Sequence, residues 1–200
     1  MFKRTLAILA ATAFWFVFVC VLWVLALRVF PPPVTWVMVT QSNELGSVQR
    51  EWVPLDRMAD NMPLAVIASE DQRFLHHHGF SWKAIRKAME YNEKKKGKKV
   101  KGASTISQQT AKNVFCWPGR TFIRKGLEAW FTVLIETLWS KERIIEVYLN
   151  VAETGKGRFG AQATAQACFK HSSERLTVSE CALIAAVLPL PRKFNACAPS

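Results

Sequence analysis

Two hundred residues carry a net charge of +12, with half the chain apolar and a mean hydropathy of +0.06. That balance excludes a disordered tail or a fibre, and the length holds one ordinary domain plus an appended segment but no second catalytic domain. A hydropathy this high in a chain so rich in charge requires the apolar residues to be concentrated in one place.

They are concentrated at the start. From Thr5 to Leu27, 23 residues carry no charge and include Phe14, Trp15, Phe16, Phe18 and Trp23. As a helix rising about 1.5 Å per residue they reach about 34 Å, enough for a hydrocarbon core of about 30 Å. A secretory signal has a shorter apolar run of about 7–15 residues and a small-residue cleavage site. Here Leu25-Ala26-Leu27-Arg28 follows with no such site, so a retained single-pass anchor over 5–27 is expected. Lys3 and Arg4 precede the span and only Arg28 follows closely. By the positive-inside rule residues 1–4 form a cytoplasmic tip and the rest faces outward, which in a bacterium is the periplasmic side of the inner membrane. Pro31, Pro32 and Pro33 then stop the helix and stiffen the exit.

Residues 28–55 read as a linker. Within it Thr35, Val37 and Val39 alternate with Trp36 and Met38 before a break at Ser42-Asn43-Glu44-Leu45-Gly46, a pattern that predicts a short strand pair. After Pro54 the periodicity turns helical, over 63–74, 82–92, 106–115, 121–139, 141–150, 160–170 and 178–188. Thr105 with Gln108 and Thr177 with Glu180 have the spacing of capping boxes, and Ser140 can cap the segment after it. With no internal repeat and no alternation of strands and helices, residues 56–200 form one mostly α domain.

Of the five cysteines, Cys20 lies in the apolar span. Cys116, Cys168, Cys181 and Cys197 could form two bridges in an oxidising compartment, but Cys168 and Cys181 fall within apolar helical patterns, so free, buried thiols are expected. Between Lys83 and Lys125 thirteen Lys and Arg face two acids, Glu90 and Glu93, so nearly all the net charge lies there. Such a surface attracts anions; the run from Lys94 to Lys101 reads as a solvated loop whose contacts beside an anchor are lipid headgroups, and the topology disfavours nucleic acid.

Three segments carry candidate chemistry. Glu70 closes an apolar helix and is followed by Asp71, Phe74 and His76-His77-His78. Desolvation at that helix end favours the proton-accepting part of a general base, whereas adjacent histidines diverge and do not converge on one ion. Next, Gly102 leads through Ser104 into a capped helix on which Gln109 and Lys112 share one face, as a groove for a phosphorylated sugar needs and as an ordinary solvated face also displays. Finally, Arg120, Arg124, Lys125 and Glu128 open a long apolar helix in which Glu136 competes with Glu128 for any acid role. Spacing does not choose between them.

Taken together, Glu-Asp-x-x-Phe-x-x-His-x-Gly at 70–79, Gly-x-Ser-Thr-x-x-Gln-Gln-x-x-Lys-Asn at 102–113, Arg-Lys-x-x-Glu at 124–128 and Lys-x-x-Ile-x-Glu-x-Tyr-Leu-Asn at 141–150 resemble the ordered motif set of peptidoglycan glycosyltransferases. Leu176 to Pro191 resembles the closing helix of that set, and the match runs over roughly 60–195. The short chain and single anchor resemble the monofunctional members, which carry no penicillin-binding domain. The resemblance implies a lysozyme-like, mostly α domain that polymerises lipid II onto a growing glycan chain, alongside membrane lipids and other wall-synthesis and division proteins. It implies Glu70 as general base for the acceptor 4-hydroxyl, and Asp71, Phe74 and His77 as its support. Ser104, Thr105, Gln109 and Lys112 would line the groove, Lys112 and Arg120 would bind the donor pyrophosphate, and Glu128 would be the second essential acid near the leaving group. A divalent cation, Mg or Mn, can assist at the pyrophosphate in such enzymes.

Two positions depart from the pattern. Lys87 stands where the family usually has arginine, and a point charge cannot make the planar two-bond clamp on phosphate. Ser81 replaces a frequent aspartate. The chain also stops at Ser200, short of many relatives, so a missing or shortened last packing element is expected. A lytic wall enzyme of similar fold is the rival reading; it needs one acid and no pyrophosphate cations, whereas Glu70 and Glu128 flank a basic segment. A membrane-anchored binding protein that uses the Lys94 to Lys101 run is the other, and it would not need Glu70.

Overall fold

A computed structural model describes residues 2–95, 102–119 and 121–198. Arg120 and most of the 94–101 basic run lie outside the described residues. The first element, α1 (Phe2–Val29), is long and apolar enough to cross a membrane and is exposed along most of its length. Its C-terminal end joins the domain: Cys20, Val24 and Leu27 are buried, and Trp23 meets the rings of Phe115 and Phe131 edge-on at 5.1 and 6.0 Å. A helix end leaves carbonyls without partners. Arg143 serves those at the end of α1, donating to Leu27 O and Phe30 O, each at 2.8 Å, and one turn earlier Trp139 donates its indole N–H to Val24 O at 2.8 Å. The proline exit is gripped by Arg50, whose guanidinium donates to the carbonyls of Pro32 and Pro33.

The strand pair expected over 34–54 is instead a helix, α2 (Trp36–Leu45). Its caps decide this: Thr35 Oγ1 accepts the Met38 N–H at 3.3 Å, and Gly46 at φ 81° closes the other end by donating its N–H to Ser42 O at 2.8 Å. Alternation over five residues is too short to outweigh two good caps. Only Gln49–Arg50 is extended (β1), and it lies parallel to β3 (Arg158–Phe159), which pairs antiparallel with β2 (Glu153–Gly155).

The body is otherwise helical: α3 (Asn61–Glu70), α4 (Trp82–Lys94), α5 (Ile106–Phe115), α6 (Phe122–Leu138), α7 (Lys141–Val151), α8 (Gly160–Thr164) and α9 (Val178–Val187). Both expected capping boxes are present, and Ser140 caps α7. The centre is α7, where Ile144, Ile145, Val147, Tyr148, Leu149 and Val151 are all buried. It packs against α5 and α8, α5 packs on α6, and α3 packs on α9. Gly160, at φ 84°, lets α8 start against α7, since a Cβ there would lie 2.9 Å from Asn150 O.

Free thiols were expected throughout, but Cys168 is joined to Cys197, while Cys20, Cys116 and Cys181 are free and buried. The helix over 160–170 winds into a π turn at Ala165–Phe169 and ends with Lys170 left-handed at φ 64°, which leaves Cys168 only half-buried at the surface where the C-terminal segment returns.

Candidate active site

Glu70 is the last residue of α3, because Asp71 leaves helical geometry at φ −157°. The break points the two carboxylates apart. Asp71 turns inward, its Oδ2 accepting from His77 Nε2 at 2.8 Å and from the Ile106 N–H at 3.1 Å. Because the Gly79 N–H donates to His77 Nδ1 at 3.1 Å, the network assigns the imidazole proton to Nε2. Gly79 sits at φ 86° in contact with α6: an added Cβ would come 2.7 Å from Thr132 Cγ2.

Phe74 is fully buried beneath this turn, with Lys141 Nζ 4.5 Å from its ring centre. Lys141 also donates to His77 O and to Glu136 Oε1, both at 2.7 Å, and Glu136 accepts from the Ser107 hydroxyl. Glu136, the competitor of Glu128, thus ties α5, α6 and α7 together behind the Asp71 turn. Asp71, Phe74 and His77 form one buried bracket that sets where α3 ends.

Glu70 itself is half-buried and faces a groove made of adjoining cavities. The first, of about 440 Å³, lies between Glu70, Arg73, Ser81, Lys83, Lys87, Ser104 and Thr105. The second, of about 640 Å³, shares Glu70 and Ser104 and adds Gln109, Lys112, Asn113, Tyr148 and Glu153. Lys112 is also in the wall of a third, of about 600 Å³, with Trp117, Arg124 and the 189–193 segment. Glu70 and Lys112 therefore open into the same space. Across it Gln109 Nε2 donates to Glu70 Oε2 at 2.8 Å, and the Tyr148 hydroxyl donates to Gln109 Oε1 at 3.2 Å.

Thr105 borders the first cavity, but its hydroxyl proton goes to Gly79 O at 2.6 Å while its oxygen caps α5. Its part is to hold the loop. Ser104, beside it, is exposed in the groove. Lys87 is exposed toward the first cavity with Lys83 and Arg73. Ser81 caps α4 by accepting the Ala84 N–H at 3.4 Å, and serine and aspartate cap comparably well, so that departure leaves the helix start intact.

At the far end Glu128 is 3% exposed and accepts from Arg124 Nη1 at 3.0 Å and from Lys125 Nζ. Arg124, and not Glu128, borders the third cavity. The Lys112 ammonium has its pKa lowered, first by loss of solvent; the Glu128 charge opposes this, and Arg124 and Lys125 add to it. Burial pushes the Cys116 thiol up to about 11, with the Glu128 charge acting in the same direction, so it stays a neutral wall group. Near Lys112, Glu128 has both oxygens engaged by cations, and among the described residues no three His, Cys, Asp or Glu side chains are grouped to hold a metal. These residues do not fit a protein-held divalent ion.

Sequence reasoning left Tyr148, Arg124 and Arg73 without roles. Tyr148 and Asn150 belong to the quoted 141–150 motif, and Asn150 proves to be a tie: its Oδ1 accepts from Val53 N–H at 2.8 Å and its Nδ2 donates to Val53 O at 2.9 Å. A motif marks such residues, but only the fold separates a tie from a groove group.

The transglycosylase family model matches residues 38–199. Proteins described as biosynthetic peptidoglycan transglycosylases are similar over most of their length. One from Pseudomonas putida is 50% identical, covering 100% of this chain and 86% of the relative. One from Pseudomonas aeruginosa is 51% identical, over 92% of this chain and 82% of the relative, and one from Xanthomonas campestris is 49% identical, over 97% and 81%.

Proposed function

The chain belongs to the transglycosylase family and is a glycosyltransferase of peptidoglycan synthesis, and we propose that it polymerises lipid II in the groove between Glu70 and Lys112. The acceptor 4-hydroxyl gives its proton to Glu70 as its oxygen bonds to the donor's anomeric carbon. The bond from that carbon to the pyrophosphate breaks, and the electron pair leaves with the phosphate oxygen. Attack from the face opposite the leaving group converts an α-linked donor into a β-linked product in one displacement. A diphosphate leaves readily once its charge is balanced, so the site needs cations there and no nucleophile.

Lys112 and Arg124 supply that balance from the walls of the shared cavities, and Arg120 is expected to add to it. Glu128, essential by resemblance, acts from behind: it aligns Arg124 and Lys125 and does not touch the reacting atoms, a reading its burial and its two ion pairs support. Gln109 holds Glu70, Ser104 contacts sugar, and Lys87 with Lys83 and Arg73 meets anionic groups of the substrate at the other end. No step is routed through a divalent ion.

The substrate carries a long lipid, which favours a catalyst held beside a bilayer. We assign α1 as a single-pass anchor in the inner membrane, with residues 1–4 cytoplasmic and the domain periplasmic. Support comes from its length, its exposed apolar side chains and the bridge between Cys168 and Cys197, since such bonds persist in oxidising compartments.

The observation that carries this reading is the single cavity shared by a carboxylate and a cation, Glu70 and Lys112. Purified protein incubated with lipid II should form polymer on a gel, and Glu70→Gln should not. Wild-type protein that only cleaves preformed glycan would overturn the proposal in favour of a lytic enzyme.

A further inference from the structure

Tyr148 lies on α7 at 1% exposure, with its ring in the core and its hydroxyl at the back wall of the groove. The hydroxyl meets Gln109 Oε1 at 3.2 Å, and the other end of the same carboxamide meets Glu70 Oε2 at 2.8 Å. A carboxamide is nearly symmetric in shape and opposite in polarity at its two ends. Turned one way Gln109 gives Glu70 a donor; turned the other way it sets a carbonyl oxygen against a carboxylate. Glu70 alone favours the first orientation, but only while it is ionised, and in the reaction it must pick up a proton and lose it again.

We infer that Tyr148 is a positioning residue for the transfer reaction: its hydroxyl donates to Gln109 and locks the carboxamide with its NH2 toward Glu70 throughout the cycle. The lock works because the phenol is a dependable donor. Its pKa is raised, first by burial and then by the nearby Glu70 charge, so it stays protonated while Glu70 changes state. Oriented this way, Gln109 stabilises the carboxylate that receives the proton without adding a charge, where a cation would hold the carboxylate too firmly to act as a base. This inference rests on Glu70 being the base.

Among the described residues, the other charged groups lining the two cavities are Asp71 and Arg73 after α3, Lys83 and Lys87 on α4, Lys112 on α5 and Glu153 after α7. None of them changes in the test. Initial rates on lipid II are compared for the full chain, Tyr148→Phe, Gln109→Ala and the double variant, each across pH. Tyr148→Phe keeps the buried ring and loses only the hydroxyl. It should lower kcat about tenfold with KM within about twofold, and the acid limb of the profile should move to higher pH because the carboxylate has lost its fixed donor. In the Gln109→Ala background Tyr148→Phe should cost less than about twofold more, since the hydroxyl acts only through that carboxamide. Losses that multiply, or an acid limb that does not move, would overturn the lock. Glu70→Gln separates the two ideas: if it retains turnover the base assignment fails, whereas an inactive Glu70→Gln with multiplying losses at 148 and 109 overturns the lock alone.

Discussion

Glu70 and Glu128, the two acids of the proposed site, are held in opposite ways. Glu70 is half-buried, open to two cavities, and receives a neutral amide donor from Gln109. Glu128 is sealed at 3% exposure between a guanidinium and an ammonium. A carboxylate with a neutral partner and access to the groove can gain and lose a proton. One clamped by two cations has both oxygens engaged, and on the proposed reading its use is to fix where those cations sit. On that reading, the same side chain becomes a base or an anchor according to the charge of its neighbours.

The contrast can be broken or sharpened by substitutions, taken here by their effect on turnover from the largest down. Glu70→Gln should reduce kcat about 10³-fold in a lipid II polymerisation assay with little change in KM, the scale of losing a general base. A smaller loss than that of Glu128→Gln would reverse the two roles. Glu128→Gln removes a buried ionic partner and should lower unfolding stability by about 3 kcal/mol in denaturant melts, the low end for a broken buried pair because the half-exposed Lys125 can turn to water. Its kinetic loss should appear mainly as a raised KM; a loss of kcat at unchanged KM would place Glu128 at the reacting atoms.

Lys112→Ala should cost about 10- to 100-fold in kcat/KM, and Lys95→Ala less than about twofold, because only Lys112 shares a cavity with Glu70. Equal, small losses would remove Lys112 from the pyrophosphate. Cutting the bridge by Cys168→Ser removes a cross-link of sequence separation 29 and should cost about 3–4 kcal/mol in thermal melts. It should raise KM a fewfold, since the 189–193 segment borders the cavities at Lys112, and leave the acid limb unmoved. A shifted acid limb would show that the two ends of the groove are not independent.

The smallest effect is in the pH dependence at the cationic end. The lowered Lys112 pKa means that the ammonium loses its proton below the usual value of 10.5, so its attraction for an anion fades as pH rises toward that value. KM should climb on the alkaline side, and Lys112→Arg, which stays charged, should flatten the climb. The same climb in Lys112→Arg would assign it to another group.

Legibility in the sequence follows the range of the interaction. The long apolar helix at the start, the capped starts of α5, α7 and α9, and the mostly α class rest on contacts within four residues, and there pattern reading and structure agree. The misread segment at 34–54 was also local, but its caps, Thr35 and Gly46, lie eleven positions apart and frame ten residues with weak periodicity. The bond between Cys168 and Cys197 was hidden for a different reason: an apolar pattern around Cys168 says nothing of which segment returns to it.

By itself, then, the sequence determined an apolar span, a helical domain, a strongly basic middle and an ordered set of acids, amides and cations, because spacing along the chain encodes local geometry and residue type encodes chemistry. Only the tertiary structure decided which of these meet. It put Glu136 behind the Asp71 turn against Ser107, and brought Tyr148 from α7 to Gln109 on α5 and so to Glu70 on α3. Those encounters join residues 29 to 39 positions apart through the packing of separate helices, and no periodicity within a single helix records them.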